Sequence, residues 1–346
     1  MTDIFSVDQD DRPGASRERR RLSRPVTVLL ICVAALVVVV LVVVAVAGIY
    51  ASNLARSYDE RTTKLDDAFP DASTRPAASA TGAVNVLLMG SDSRGDATDL
   101  DDPSISDQRT DTMMLVHLDA DRENVYVMSI MRDLYVPIPD HGEAKVNAAF
   151  AYGGSPLTVE TVEQLTGVRV DHVAIIDFEG FRGMTDALGG VDVTSSRAFQ
   201  ARDTSIEVGV NHLDGAQALD FVRERYSFVD GDYTRVANQQ LFLKAILDKT
   251  ISQDTLTDPG KISALVSSIS DYLTVDDSLD AGTVASLGLS MRSIRSSDVH
   301  FFTIPTDGTG SVGDQSVVLL DQDSLPALQQ GLRDDSLEAI LPTIIR

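Results

Sequence analysis

Cysteine is nearly absent. The single one, Cys32, lies inside an apolar run, so the rest of the chain can build neither a disulfide framework nor a cysteine-ligated metal site. Basic charge is also scarce, with 29 Lys and Arg against 52 Asp and Glu and a formal net charge of −23. Such a field repels nucleic acid, whose binding rests on cations that neutralise phosphates. The five histidines (His117, His141, His172, His212 and His300) are scattered, and no His-Glu-x-x-His pair or Gly-x-Ser-x-Gly elbow occurs. Zinc-peptidase and serine-hydrolase chemistry therefore lack their motifs. No Gly-Lys-Ser/Thr phosphate loop is present either.

What is present fits a folded protein. Hydrophobic residues make up 43% and charged ones 23% of the 346, a globular balance with room for one large domain or two ordinary ones. Between Pro25 and Tyr50 no residue is charged, and Val26–Ile49 is almost entirely Val, Leu, Ile and Ala. As a helix this run would reach about 36 Å at ~1.5 Å per residue, enough to cross a ~30 Å hydrocarbon core. Arg12, Arg17, Arg19, Arg20, Arg21 and Arg24 precede it, whereas Arg56, Asp59, Glu60 and Arg61 of mixed sign come after it. That asymmetry predicts a single-pass anchor over 25–50, a cytoplasmic tail over 1–24 and an external C-terminal part. Ala45-Val46-Ala47 resembles a signal-peptide cleavage site, but the apolar run exceeds the ~7–15 residues of a signal peptide's core.

Residues 51–83 are polar and rich in Pro, Ala, Ser and Thr, which predicts a linker or weakly helical stalk. A catalytic domain is expected over 84–346, with its motifs in 84–250 and the rest of the fold in 251–346. Val84–Gly90, Thr112–Leu118 and Asn124–Ile130 read as strands, the last two joined by a short turn as a hairpin. Helices are expected after Ser155-Pro156 up to Gly167, over Phe178–Leu188, from Asp214 to Phe221, and from an Asp232 N-cap to Lys249. Val170–Ile176 and Val191–Val193 read as strands. Ile262–Leu273 and Ala281–Ile294 read as helices, and Val299–Pro305 as one more strand of the same sheet. This mixture predicts an α/β fold, a mixed central sheet flanked by helices on both faces.

Polar groups gather at three strand ends. Gly90-Ser91-Asp92-Ser93-Arg94 follows the first strand, Arg109-Thr110-Asp111 precedes the second, and Arg132-Asp133 follows the third. The hairpin brings Arg132 near Asp111, and an antiparallel first strand would add Asp92. Carboxylates with guanidiniums, and no clustered Cys or His, suit Mg²⁺ and a pyrophosphate better than zinc. The same residues also read as turn and cap positions paired with surface charges. Arg223-Glu224-Arg225 follows a helix, and Asp232-Tyr233-Thr234-Arg235 opens the next, with Arg235 and Gln239 on one face of its first turns. A helix N-terminus favours anions, and Arg235 would reinforce that. A solvated helix end is the alternative for Arg223 and Arg225.

From Val84 to Leu247 the chain resembles the LytR-CpsA-Psr family of cell-wall glycopolymer transferases. The blocks carrying the resemblance are the three strand-end groups together with Lys145-Val146-Asn147-Ala148-Ala149, Gly189-Gly190-Val191, Leu213–Leu219, Arg223-Glu224-Arg225 and Asp232–Arg235. The resemblance implies that Asp92 and Asp111 hold Mg²⁺, with Mn²⁺ the other candidate. It implies that Arg94, Arg109, Arg132, Arg223, Arg225, Asp232, Arg235 and Gln239 hold the pyrophosphate or its adjoining sugar, and that Lys145 faces the site. The donor would be a polyprenyl-pyrophosphate-linked glycan whose lipid lies in an apolar tunnel between sheet and helices. Peptidoglycan or another surface glycan would be the acceptor, with Asp92, or Arg132 acting through its field, assisting deprotonation. Hydrolysis of the same donor is the rival activity. A transcription attenuator, a label attached to some members, sits badly with an external acidic domain, and a non-catalytic lipid-binding protein is a further alternative. Two positions depart from the family pattern: Met131 replaces a Pro, and Asn238 replaces an Arg before Gln239.

Overall fold

The computed structural model describes residues 48–91, 110–228, 231–251 and 258–345, with Ser91 and Asp111 described by backbone alone. The cytoplasmic tail, all but the last residues of the expected anchor, and Asp92, Arg94 and Arg109 lie outside the described residues. Among the described residues no helix is long and apolar enough to cross a membrane. The chain divides into a unit ending at Ser52 and a second from Asn53 to Arg346, and all the described strands belong to the second.

Near-continuous apolar strands such as Val84–Ser91 (β2), Thr110–Leu118 (β3) and Val125–Ile130 (β4) belong in a sheet covered on both faces. Four more strands join them: β1 (Thr63–Leu65), β7 (His172–Asp177), β12 (Leu273–Asp276) and β13 (Val299–Thr303). The seven form one sheet in the order β1-β12-β7-β2-β3-β4-β13. β3 runs antiparallel to both β2 and β4, while β7 lies parallel to β2 and β13 parallel to β4. The carboxyl ends of β2, β4 and β7 thus share one edge with the start of β3.

Alternation along the strands splits the core in two. Leu87, Met89, Met113, Leu115, Met128 and Ile175 pack with Val159 and Val162 of α2 (Ala148–Thr166). On the other face Leu88, Met114 and Val127 meet Leu243 of α5 (Gly231–Thr250). The remaining helices are α1 (53–61 within this unit), α3 (Phe178–Ala187), α4 (Gly215–Arg223), α6 (Pro259–Ser270), α7 (Ala281–Ser290), α8 (Leu325–Arg333) and α9 (Leu337–Ile344). The fold is therefore mixed α/β with helices on both faces of a mixed sheet.

Local chemistry accounts for most boundaries. Asp214 caps α4 in a full capping box with Gln217, and Asp177 caps α3 through Gly180 N–H. Gly167 closes α2 at φ 71°. α2 begins earlier than the sequence indicates and breaks at Gly153-Gly154, so Ser155-Pro156 opens only its second segment. Leu273, read as the end of a helix, instead opens β12, and α7 stops at Ser290 rather than Ile294.

From residue 53 to 83 the stretch expected as a linker or weakly helical stalk opens with the helix α1 and then joins the second unit's fold. β1 pairs in parallel with β12, Leu65 and Ala68 join the core, and Ser155 Oγ donates to the Ala68 carbonyl at 2.9 Å. The polar composition of the stretch reflects its exposed Pro-rich end and masks these few buried anchors. A second sheet has no counterpart in the sequence patterns. It comprises β5 (Leu134–Ile138), β6 (Gly142–Lys145), β14 (Thr306–Val312) and β15 (Gln315–Leu320), in the order β14-β15-β5-β6. Two antiparallel ribbons complete the strands. One pairs Val191–Ser195 (β8) with Gly209–Leu213 (β11), and the other pairs Phe199–Ala201 (β9) with Thr204–Ile206 (β10).

Candidate functional site

At the shared sheet edge Gly90 pairs with Thr112 but Ser91 pairs with Thr110, so Asp111 is an extra residue on β3. Such bulges end regular pairing and recur beside functional sites. Immediately across β3, the chain leaves β4 through Met131-Arg132-Asp133. Leu134 N–H donates to the Met131 carbonyl at 2.9 Å, a tight turn that sends β5 into the second sheet. Met131 is fully buried in the main core. Asp133 accepts from Arg132 Nε at 3.3 Å and lies 3.3 Å from Lys145 Nζ. Lys145 therefore joins the site through Asp133 and does not itself line the adjoining cavity.

That cavity, about 470 Å³, opens between the sheet and α3, α4, α5 and α6. Its walls are Leu88, Met114 and Ile176 from the sheet, Phe181 and Met184 from α3, Leu219 from α4, and Phe242 and Leu243 from α5. Arg132, Arg202, Arg223, Arg225 and Arg235 also line it, with Gln239 and Tyr226. A water-avoiding chamber and a group of guanidiniums thus share one space.

The guanidiniums around α4 and α5 are held in place. Arg223, the last residue of α4, stacks over the Phe178 ring at 4.4 Å. Arg225 lies just beyond the helix end, its Nη2 donating to the Tyr226 hydroxyl oxygen at 3.0 Å while the guanidinium lies 4.8 Å from the same ring. Asp232 takes Arg235 Nη2 at 3.0 Å and faces Arg225 Nη1 at 3.9 Å. The sequence points to Asp232 as an N-cap, whereas the structure places it inside the first turn of α5, after Gly231, orienting two cations. Gln239 donates to Thr112 Oγ1 at 2.9 Å and so fastens α5 to the start of β3. Asn238 is not among the cavity's lining. It is buried, and its amide donates to the Phe221 carbonyl at 3.3 Å, so it ties α5 to α4.

The electrostatics follow from this geometry. The bond to Tyr226 raises the pKa of Arg225, and the nearby Asp232 and Asp133 add to it. In return Arg225 lowers the pKa of the Tyr226 phenol, helped by Arg202 and Arg235. Burial raises the pKa of Asp177, which lines the cavity at the end of β7.

Of the sequence-derived candidates, Arg132, Arg223, Arg225, Arg235 and Gln239 meet in one cavity, and Asp232 and Lys145 adjoin it. The backbone of Asp111 stands at the same sheet edge. The sequence reading does not single out Arg202 and Tyr226. Arg202 sits in the β9–β10 turn at φ 48°, where a charged residue ordinarily reads as solvated surface. Tyr226 could have been flagged by its place directly after the Arg223-Glu224-Arg225 block. Among the described residues no three His, Cys, Asp or Glu cluster as a metal cage.

Comparison with known proteins points the same way. The chain is 30% identical over 292 residues to the cell wall biosynthesis protein LcpA of Corynebacterium glutamicum; that match spans 72% of this chain and 56% of LcpA, little more than half of that relative's length. It is 30% identical over 239 residues to the polyisoprenyl-teichoic acid–peptidoglycan teichoic acid transferase TagU of Bacillus cereus, covering 67% of this chain and 76% of TagU. A solved structure of TagT bound to LI-WTA superposes with a TM-score of 0.60 at 26% identity, covering 79% of this chain and 98% of TagT. Residues 46–334 match the LytR_cpsA_psr family, and the chain belongs to that family.

Proposed function

We propose that this protein is a phosphotransferase that moves a glycopolymer from a polyprenyl-pyrophosphate carrier onto peptidoglycan or another surface glycan. It would be anchored through residues 25–50, with its catalytic part outside the cell. One observation carries the reading: an apolar cavity and five guanidiniums line the same space, the two-part complement of a diphosphate on a greasy chain. The names of TagU and of TagT bound to LI-WTA support the substrate class.

The residues divide the work. Apolar walls from Met114, Phe181, Met184 and Phe242 take the lipid and exclude water from it. Arg132, Arg223, Arg225 and Arg235 bind diphosphate oxygens through fixed forks and stabilise charge that grows on the departing polyprenyl phosphate. Asp133 holds Arg132, Asp232 holds Arg225 and Arg235, and the Phe178 ring lies under Arg223, which limits the reorganisation needed during the reaction. Asp111, whose backbone stands at the same edge, and Asp92 are the residues that would hold a hard cation. When bound, Mg²⁺ or Mn²⁺ would neutralise further negative charge on the diphosphate.

The test incubates the full chain with a lipid-pyrophosphate glycan and Mg²⁺, with and without cell-wall acceptor, and follows products by mass spectrometry. Transfer that depends on the acceptor supports the proposal, whereas release of glycan phosphate alone would mark a hydrolase. Arg132→Ala should lower the rate by about 10²–10³-fold, as loss of one transition-state donor does elsewhere. Wild-type rates for both Arg132→Ala and Asp111→Ala would overturn the site.

A further inference from the structure

A hydroxyl that attacks phosphorus must lose its proton, and the described rim offers few groups able to take it. Guanidiniums stay protonated and cannot serve. The carboxylates there are committed. Asp133 lies between Arg132 and Lys145, and Asp232 between Arg225 and Arg235. Glu224 accepts the backbone N–H groups of Tyr226 and Ser227 at 2.7 and 2.8 Å. Asp177 caps α3 through Gly180 N–H at 2.7 Å.

The geometry points to Tyr226 as the proton acceptor for the incoming hydroxyl, a role that rests on the phosphotransferase reading. Tyr226 lines the cavity yet the residue is 83% exposed, so it stands where the donor's space meets the solvent from which an acceptor glycan arrives. Arg225 Nη2 donates to that oxygen at 3.0 Å, which favours a negative charge on it. Arg202, from the β9–β10 turn, and Arg235, on α5, add positive field and lower the phenol's pKa further. Among the described residues Glu224 accepts the Tyr226 backbone N–H, and Asp232 faces its partner Arg225 while taking Arg235, so each is already engaged.

The step balances. The Tyr226 phenolate takes the proton of the acceptor hydroxyl as the acceptor oxygen bonds to phosphorus. The bond from that phosphorus to the bridging oxygen breaks, and its electron pair leaves with polyprenyl phosphate. The phenol then returns its proton to water on its open side, ready for another turnover.

Tyr226→Phe keeps the ring and removes the oxygen. In the full chain with lipid-pyrophosphate glycan and acceptor, it should lower kcat by about 10²-fold or more, the usual scale of proton-transfer catalysis, with the KM for donor nearly unchanged. The acid limb of the kcat–pH profile should vanish with it. Independently of turnover, the ultraviolet difference titration of wild type minus Tyr226→Phe should show one phenol ionising below the ordinary tyrosine value of about 10. A Tyr226→Phe protein with wild-type kcat and pH profile overturns the assignment. So does a phenol that titrates with the other tyrosines. Loss seen only in Tyr226→Ala, and only in the KM for acceptor, would make the ring a sugar platform and equally overturn it. If the early phenol ionisation is present but wild type neither transfers nor hydrolyses the donor, the phosphotransferase reading itself is what fails.

Discussion

Arg75 Nη2 lies 2.7 Å from Glu163 Oε1, an ion pair buried between the polar stretch before β2 and the last turn of α2. Arg75 also donates to the Val170 carbonyl, and Glu163 Oε1 accepts Val170 N–H at 2.9 Å. The pair thus clamps three segments: the approach to the sheet, α2, and the loop into β7. Phe69 lies under the Arg75 guanidinium at 4.4 Å and shields it further.

Removing one partner strands the other charge away from water. Arg75→Ala should destabilise the fold by about 3–5 kcal/mol, the scale found when a buried pair is broken from one side. The paired change Arg75→Met with Glu163→Leu should cost far less, because neither charge is then left unpaired. Urea denaturation with unchanged slope checks both. Equal losses for the single and double variants would show that the pair is not acting as one unit.

The same clamp marks where sequence reading stops. Strands β2, β3, β4 and β7 were legible because buried strands read as apolar runs bounded by turn residues. The helix start at Asp214 was legible from its capping chemistry. Arg75 and Glu163 were not, because a charged residue in a polar stretch and one in a helix each look solvated until a fold joins them. β5 and β6 were hidden for a related reason. They are short, β6 is largely polar, and β5 finds its parallel partner β15 far along the chain. At the site, residues within contiguous blocks were found, while Arg202 depends on a turn that folds back from outside every block.

Asp276 supplies a pH test. Burial opposes its ionisation, yet hydrogen bonds from His172, Ser278 and Val173 N–H prevail and hold its pKa below the ordinary carboxylate range. The folded state therefore binds its proton less readily than the unfolded chain does. The stability it contributes is complete above the unfolded value of about 4 and is lost as pH falls through the folded one. Asp276→Asn should be less stable than wild type at neutral pH by about 1–3 kcal/mol, the cost of unmaking buried hydrogen bonds to a charged acceptor. The gap should narrow as pH falls below about 4. Denaturation midpoints collected from acid to neutral pH decide it, and a constant gap would assign the effect to packing.

Gly231 links fold to site. A Cβ at this position would collide with the Arg225 carbonyl oxygen, a backbone atom that cannot swing aside. Gly231→Ala should therefore push the Arg225 segment away from the start of α5 and loosen the Asp232 bridge between Arg225 and Arg235. Overpacking of this kind costs about 1–3 kcal/mol. The distinguishing result is functional: binding of inorganic pyrophosphate, read by calorimetry, should weaken about tenfold, equivalent to ~1.4 kcal/mol. Unchanged binding with reduced stability would separate the glycine's structural duty from the cation cluster.

The apolar chamber can be tested apart from its charged rim. Met184 of α3 lines the cavity together with Phe181 of the same helix and Leu219 of α4. Met184→Trp fills space there and leaves Arg132, Arg225 and Arg235 unaltered. A lipid donor then loses room for its methylenes, each worth about 0.8 kcal/mol when buried, so loss of a few should weaken long-chain binding by tenfold or more. Inorganic pyrophosphate, which needs only the guanidiniums, should bind as before. Calorimetry on donors of increasing chain length checks this, with the wild type gaining affinity per added isoprene unit and the variant reaching a plateau early. Parallel gains in both proteins would place the lipid outside the chamber and remove the reason for its apolar walls, since an exposed chain needs no enclosed greasy wall beside its head group.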